Sequence, residues 1–205
     1  MFTDVLPENT KIVLDKLKGT EIVNRFYLTG GTALALQIGH RESEDLDFFC
    51  ETDFEPTHVQ KELEKLGKLE SSAIEPGTLN LFLDNVKIQF LHYPYRLLER
   101  KVDFDGISLS SLIDIACTKL ITVSSRGSKK DFIDIYYLLQ KYDLNTLFAK
   151  LKEKYPETDY NQLHLLKSLV YFVDADGQPS PRMHKEADWG KIKEAITRRV
   201  VTFRV

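Results

Sequence analysis

The spacing of apolar residues changes character near residue 108 of this 205-residue chain. Before that point, alternating runs typical of strands are interspersed with helical patterns, and beyond it apolar residues recur at helical spacing. The pattern predicts an α+β (mixed) fold in two parts. A small mixed β-sheet with flanking helices, residues 1–108, is followed by a helical bundle, residues 109–205.

Prolines and glycines mark the ends of the predicted helices in the first half. These helices, each ended by a glycine, are expected at about 7–18, 32–38 and 56–67. Strands are predicted in "RFYLTG", from residue 25, and in "DLDFFC", residues 45–50. The segment "TLNLFLDNVKIQFLHYP" alternates on both sides of Asp84-Asn85, which is typical of a hairpin with a tight turn.

Two apolar stripes at helical spacing open the second half. They consist of Leu112, Ile115, Ala116 and Leu120, and of Phe132, Ile135, Tyr136 and Leu139. Further helices are predicted at about 143–154, 159–173 and 185–199, the last after the loop "DADGQPSPRM".

Composition narrows the class of protein. Hydrophobic residues make up 42% of the chain, charged residues 29%, and the net charge is -3, which excludes a disordered chain and a strongly basic surface. Any nucleic-acid contact must therefore come from local patches. Cys50 and Cys117 cannot form a disulfide framework, which suits a reducing cytoplasm. With no leader-like or membrane-spanning stretch, we expect an unprocessed, cytoplasmic protein without a membrane partner.

A pair of aspartates is the first candidate for chemistry. Asp45 and Asp47 alternate in a predicted strand, so their carboxylates share one side while Leu46 and Phe48 face the core. Because like charges repel, one of them takes up a proton or both surround a bound cation, and Mg²⁺ (or Mn²⁺) favours such a site. The alternative is a strand end whose acids are solvated or cap the next turn.

Gly30-Gly31 lies between a predicted strand and a predicted helix that begins at Thr32. Glycine lets the backbone turn sharply there, and free N–H groups at a helix start can receive phosphate oxygens. A phosphate cradle beside a metal site is one interpretation. A tight turn imposed by packing is the other.

Three segments, taken in order, resemble the AbiEii/AbiGii toxin type of the polymerase-β-like nucleotidyltransferases. They are "GGTALALQIGHRESEDLDFF" from Gly30, "DIACTKL" from Asp114 and "KKDFIDIYYLL" from Lys129. The resemblance implies a nucleotidyltransferase-type sheet followed by helices. It also implies Mg²⁺-dependent transfer of a nucleoside monophosphate from a nucleoside triphosphate to an acceptor hydroxyl, with release of pyrophosphate.

The resemblance also implies roles for individual residues. Asp45 and Asp47 would hold the metal, and the candidate catalytic residues are Asp45, Asp47, Lys119 and Asp131. The candidate nucleotide-binding residues are Gly30, Gly31, Thr32, Arg41, Ser43, Lys119 and Lys130. Asp114, Asp134 and Gln89 are further candidates.

The same residues have structural alternatives. Ser111 with Asp114, and Ser128 with Asp131, have the spacing of helix-capping pairs. Lys119 lies beside an apolar stripe, where a lysine usually extends to water, and Lys130 belongs to a basic pair that is typical of a solvated helix face.

Gln89 departs from the pattern of the resemblance. Many polymerase-β-like enzymes carry a third carboxylate on a later strand, where it helps to deprotonate the attacking hydroxyl. The candidate strand, "VKIQFLHY", offers Gln89, and glutamine cannot act as a base. Either Asp131 takes that role, or metal activation and positioning suffice, or the protein is an inactive nucleotide- or partner-binding scaffold.

Other side chains near these motifs are also candidates for binding. Arg41 suits phosphate because its guanidinium forms a fork, whereas His40 is expected in a solvated turn and Ser43 has no partners for nucleophilic catalysis. Tyr93 and Tyr95 could stack on a base, but loop packing is the commoner role of such a pair.

The resemblance finally implies a biological role. The protein would be the toxin of a toxin–antitoxin or phage-defence (abortive infection) system, with a cognate antitoxin as partner. An RNA end such as that of tRNA is the favoured acceptor, and a protein hydroxyl is the alternative.

Overall fold

The strands form one mixed sheet, ordered β3-β4-β5-β2-β1-β7-β6, in a computed structural model that describes residues 1–158 and 160–203. The strands are β1 (Tyr27–Thr29), β2 (Leu46–Cys50), β3 (Leu69–Glu75), β4 (Thr78–Leu83), β5 (Val86–His92), β6 (Val102–Phe104) and β7 (Ile107–Leu109). β2 runs parallel to β5 and β1 parallel to β7, and the other neighbours are antiparallel.

Helices flank this sheet and continue beyond it. A 3₁₀ turn at Thr3–Val5 precedes α1 (Glu8–Leu17), α2 (Glu21–Arg25), α3 (Gly30–Ile38) and α4 (Pro56–Glu64). The second half contains α5 (Leu112–Ser125), α6 (Lys129–Leu138), α7 (Leu144–Lys154), α8 (Gln162–Ser168), α9 (Val173–Asp176) and α10 (Trp189–Thr202). The predicted α+β class, a mixed sheet with flanking helices followed by more helices, is confirmed.

The predicted hairpin is formed by β4 and β5. Its turn residues, Asp84 and Asn85, have φ angles of 49° and 65°. Two consecutive left-handed residues match the twist of an antiparallel pair, and Asp and Asn tolerate this conformation better than most residues. The prediction is confirmed because the turn signal is local.

The sequence pattern did not predict α2, β3, β6 or β7. β3 carries mostly exposed side chains, so it has no apolar alternation to reveal it. β6 and β7 are only three residues each and turn at Asp105-Gly106, with φ angles of 53° and 84°. α2 covers five residues and ends at Arg25, where the first strand was predicted to begin. The observed strand begins at Tyr27.

The helix predictions in the second half hold with two exceptions. A single helix at 159–173 is wrong, because α8 ends at Ser168 and the short α9 starts only at Val173 and continues into the predicted loop as far as Asp176. Residue 159 itself lies outside the described residues, as do positions 204 and 205 of the predicted second domain. The last helix starts at Trp189, where the Asp188 carboxylate caps it by accepting from Lys191 N.

The hydrophobic core extends across both halves of the chain. One cluster of buried side chains includes Leu28 and Phe48 of the sheet together with Leu120 and Phe132 of the helices. The predicted boundary at residue 108 falls inside β7, which pairs with β1. The division into two domains therefore stays a prediction. No helix among residues 1–158 and 160–203 has the length and hydropathy of a bilayer span.

Candidate active site

A cleft of about 470 Å³ lies where β2, β5 and the start of α3 face α5 and α6. Its lining combines carboxylates, cations and small polar groups from both halves of the chain. The lining residues are Gly31, Arg41, Ser43, Asp45, Asp47, Lys87, Gln89, Lys119, Arg126, Ser128, Lys130 and Asp131. Most of the residues that the sequence singled out are therefore brought together.

The aspartate pair lies at one end of β2. The strand starts at Leu46, so Asp45 immediately precedes it and the predicted strand is one residue too long at this end. Leu46 and Phe48 are fully buried in the core, as predicted, while both aspartates line the cleft. Burial raises the pKa of the Asp47 carboxyl, and the charge of Asp45 raises it further although Lys119 opposes the effect.

The two glycines allow a close approach of the α3 backbone to the site. Gly30 has φ +67°, and a Cβ at this position would overlap Asp47 Oδ2. A Cβ at Gly31 would overlap the guanidinium of Arg41. α3 thus begins at Gly30, two residues earlier than predicted, and its N-cap residue Thr29 forms no side-chain cap that would close off the first-turn N–H groups.

Thr32 lies behind the cleft rather than on it. It is 1% exposed, its hydroxyl donates to the carbonyl of Asp45, and it lies 2.9 Å from Ser43 Oγ. Thr32 therefore positions the segment that carries Ser43 and Asp45.

A buried ionic network lies behind the lining of the cleft and holds Arg41 and Lys119 in place. Asp134, which is 0% exposed, accepts from Arg41 Nε at 2.7 Å and from the terminal nitrogen of the same guanidinium at 2.8 Å. His40 Nε2 lies 2.8 Å from the same carboxylate. Burial alone would raise the pKa of Asp134, but the charges of Arg41 and Lys119 hold that pKa well below its ordinary value. Asp134 therefore anchors the network and does not line the cleft.

Lys119 connects this network to the cleft. Its Nζ lies 2.7 Å from Asp131 Oδ1 and 2.7 Å from Asp134 Oδ2. Burial by itself lowers the pKa of Lys119, but the two carboxylates outweigh it and raise the pKa above the ordinary value. The alternative that Lys119 extends to bulk water is wrong, and one of its three ammonium protons is left for a third acceptor.

Asp131 has two roles at once. Its Oδ2 accepts from Ser128 N at 3.4 Å and from Ser128 Oγ at 2.6 Å, which completes a capping box at the start of α6. Its other oxygen accepts from Lys119 on the cleft. The capping interpretation is confirmed, and it does not remove Asp131 from the candidate site.

Asp114 does not reach the cleft. Its carboxylate accepts from Ser111 Oγ, from the backbone N–H groups of Leu98 and Glu99, and from Lys154 Nζ at 2.7 Å. Lys119 is five positions after Asp114, which rotates their side chains apart by about 140° around an α-helix. The Asp-x₄-Lys spacing therefore places the aspartate in a different environment from the lysine.

His40 and the tyrosine pair Tyr93 and Tyr95 contact other parts of the protein rather than the cleft. His40 is 0% exposed, so the solvated turn predicted for it is wrong, and burial lowers its pKa despite the hydrogen bond to Asp134. Tyr93 packs against Tyr95 and places its hydroxyl 2.5 Å from that of Tyr155. The loop-packing interpretation of this tyrosine pair is thus confirmed.

Lys87, Arg126 and Ser128 complete the lining beyond the predicted set. Lys87 precedes Gln89 by two residues on β5, so alternation along that strand was a usable signal for it. Arg126 follows the last residue of α5, and nothing in its local sequence indicates a role. Lys87, Arg126 and Lys130 form no ion pair with any residue that the structure describes.

Gln89 occupies the place expected for the missing carboxylate. It is the register partner of Asp47 on the parallel pair β2–β5, and it lines the cleft. The side chain next to Asp47 is therefore a neutral amide.

Comparison with known proteins shows the family of the chain. A family model described as "Nucleotidyl transferase AbiEii toxin, Type IV TA system" matches residues 14–108 and 73–202. An uncharacterized protein of Aquifex aeolicus is 37% identical over 201 residues, which cover 95% of this chain and 96% of that protein.

Solved structures share the fold. MenT4, a nucleotidyltransferase toxin of Mycobacterium tuberculosis, superposes with a TM-score of 0.59 at 13% identity, covering 97% of this chain and 87% of its own. A Helicobacter pylori protein described as a nucleotidyltransferase gives a TM-score of 0.58 at 17% identity, covering 95% and 91% of the two chains. At such identities the likeness is one of fold.

Proposed function

The chain belongs to the AbiEii family of nucleotidyltransferase toxins, and on that premise we propose that it transfers a nucleoside monophosphate to an RNA hydroxyl. The donor would be a nucleoside triphosphate, Mg²⁺ (or Mn²⁺) the cofactor, and pyrophosphate the leaving product. One observation carries the proposal: Asp45 and Asp47 face a set of cations across one cleft that begins at the N-terminus of α3.

Asp45 and Asp47 fit a divalent cation by the chemistry of their donor set. Among residues 1–158 and 160–203, no group of three or more His, Cys, Asp or Glu side chains is arranged to enclose a metal. Mg²⁺ is suited to a site with only one or two carboxylates, because water and substrate phosphates supply the remaining ligands. When bound, the ion would neutralise developing charge on the phosphates.

Cations and backbone N–H groups would hold the triphosphate. The open first turn of α3 offers N–H donors at Gly31, and Lys119 offers its remaining proton. Lys130, Arg126 and Lys87 add positive charge around the cleft. Arg41 acts through its position, because its guanidinium is engaged by Asp134 and lies against Gly31.

Catalysis would depend mainly on positioning and charge stabilisation. Both carboxylate oxygens of Asp131 are already engaged, Oδ1 by the Lys119 ammonium and Oδ2 by Ser128 in the cap of α6. We therefore assign Asp131 to orienting Lys119 rather than to proton abstraction. Gln89 would orient the acceptor by hydrogen bonding beside Asp47.

The toxin role and its partners follow from the family as proposals. Transfer onto the end of an RNA such as tRNA would block its use, and a cognate antitoxin would restrain the enzyme. A protein hydroxyl is the alternative acceptor for the same chemistry.

The test is a transfer assay with each labelled nucleoside triphosphate, Mg²⁺ and a mixture of total RNA and cellular protein. Wild type, Asp47→Asn and the control Asp53→Asn are compared, since Asp53 is exposed and lies three residues beyond Cys50, at the opposite end of β2 from Asp47. We expect nuclease-sensitive label with wild type and control, and none with Asp47→Asn or with EDTA. Label that is sensitive to protease instead would show that the acceptor is a protein and would contradict transfer to RNA.

Gln89 supports a second candidate function, a catalytically inactive scaffold that binds a nucleotide or a partner. This hypothesis predicts nucleotide binding by wild type without transfer to any acceptor. It also predicts that Asp47→Asn leaves the biological effect intact, whereas the transferase proposal requires that effect to be lost.

A further inference from the structure

A second pocket, of about 340 Å³, adjoins the catalytic cleft at Arg126, which lines both. It lies between the end of α5, the loop that follows it, and α8. Its lining consists of Val123, Ser124, Ser125, Arg126, Gly127, His164, Lys167, Ser168, Tyr171 and Asp174. The shared arginine makes the two pockets neighbours on the protein surface.

The exposed chemistry of this second pocket comes from a few side chains. The hydroxyls of Ser124, Ser125 and Ser168 donate to carbonyl groups of their own helices. What remains for a ligand is the guanidinium of Arg126, the ammonium of Lys167 and the ring of Tyr171, which is 55% exposed. His164 Nε2 lies 3.2 Å from the carbonyl of Ser124 and joins α8 to α5.

We propose that this second pocket binds the terminal nucleotide of a single-stranded RNA acceptor and directs its end into the cleft. The proposal rests on the proposed function, because it assumes an acceptor distinct from the nucleotide donor. An exposed aromatic ring beside cations is the combination that binds unpaired nucleotides, with the base on the ring and the phosphate on the cations.

Charge and size favour this ligand over a protein segment. Arg126 and Lys167 face a single carboxylate on this lining, Asp174, although the whole chain has a net charge of -3. The patch is thus locally positive on an acidic protein, as a phosphate backbone requires. A volume of about 340 Å³ is near the lower limit for small-ligand pockets and suits one nucleotide.

Arg126 would connect donor and acceptor. It follows the last turn of α5 and lines the cleft together with Lys119 and Asp131. A guanidinium can bridge two phosphates through its forked donors, so Arg126 would fix the distance between the acceptor end and the triphosphate.

Direct binding of a short fluorescent RNA with a free 3′ hydroxyl, measured by anisotropy without donor nucleotide, tests the proposal. Tyr171→Ala should weaken RNA binding by about tenfold, since base stacking on an aromatic ring contributes roughly 1–3 kcal/mol. Tyr171→Phe should bind as wild type does. Lys167→Ala should also weaken binding and reduce the dependence of affinity on salt by about one phosphate contact.

Matched measurements separate this pocket from the donor site. Lys141→Ala removes an exposed lysine from the turn that follows α6 and should leave RNA affinity unchanged. In the transfer assay, Tyr171→Ala should raise KM for RNA and leave KM for the nucleoside triphosphate as it was. An increase in the KM for the triphosphate instead would make this a donor pocket and overturn the proposal.

The two proposals fail in different ways. RNA binding that is absent in wild type, or equal in wild type and Tyr171→Ala, overturns the RNA pocket even if transfer to another acceptor occurs. RNA binding that depends on Tyr171 and Lys167, in a protein that transfers no nucleotide, supports the pocket and overturns the transferase.

Discussion

The starts of α5 and α6 use the same local device with different outcomes. Ser111 Oγ accepts from Asp114 N, and Ser128 Oγ accepts from Asp131 N. Each aspartate in turn lies 2.7 Å from the ammonium of one lysine. Ser-x-x-Asp followed by a lysine contact therefore occurs twice, once on the cleft and once away from it.

The difference lies in what surrounds each pair. The Asp114–Lys154 pair is sealed, with side chains 2% and 1% exposed, and it holds the segment around Arg96 and Leu98 to α5. Lys119 is 11% exposed at the cleft, where it binds Asp131 and Asp134 together. The sealed pair stabilises the fold, whereas the open one is placed to meet a ligand.

Replacing the two lysines should give the largest contrast. Lys119→Met is expected to reduce kcat/KM for transfer by about 10²–10³-fold, the loss that follows removal of one preorganised charge-stabilising donor. Lys154→Met should leave the activity per folded molecule unchanged and lower the thermal stability. Transfer kinetics corrected for the folded fraction measure both, and equal losses of activity would abolish the contrast.

Neutralising the two aspartates should affect stability unequally, with the larger loss at the sealed pair. Asp114→Asn leaves the Lys154 ammonium buried without a counter-ion, which costs about 3 kcal/mol, or roughly 6–12 °C in Tm. Asp131→Asn should cost less, because Lys119 keeps Asp134. Calorimetry of both variants at neutral pH checks this, and the comparison breaks if Asp131→Asn is the less stable protein.

Acid should weaken the buried ionic network by protonating Asp134. Because the folded-state pKa of Asp134 lies well below its ordinary value of 3.8, its contribution is complete above that value. The contribution is lost as the pH falls below 3.8 toward the folded-state pKa. Between pH 6 and pH 2, the Tm should therefore fall more steeply with decreasing pH for wild type than for Asp134→Asn. Parallel curves of Tm against pH would contradict this.

The smallest effect should come from Asp47, with the opposite sign to that of Asp114. Its folded-state pKa is raised, so its contribution to stability is complete below the ordinary value of 3.8 and is lost as the pH rises through the folded-state pKa. Asp47→Asn should therefore raise the Tm of the metal-free protein at neutral pH. Added Mg²⁺ should stabilise wild type and not the variant, as measured by differential scanning fluorimetry.

Much of the fold could be predicted from local signals in the sequence. The hairpin at Asp84-Asn85, the apolar side of β2 and the helix beginning with Ser128 follow from turn residues, alternation and capping, which act over a few positions. β3, β6 and β7 were missed because short or exposed strands are stabilised by their neighbours in the sheet rather than by their own side chains.

The candidate site divides in the same way. The sequence by itself determined the residues of the motifs, including Gly30-Gly31 and the pair Asp45 and Asp47, because their backbone and charge requirements are local. Only the tertiary structure decided that His40 is buried, that Arg126 joins two pockets, and that Asp131 rather than Asp114 lies at the cleft. The physical reason is that burial and ionic partners come from residues distant in the chain, so two Ser-x-x-Asp helix starts acquire different environments only when the helices pack.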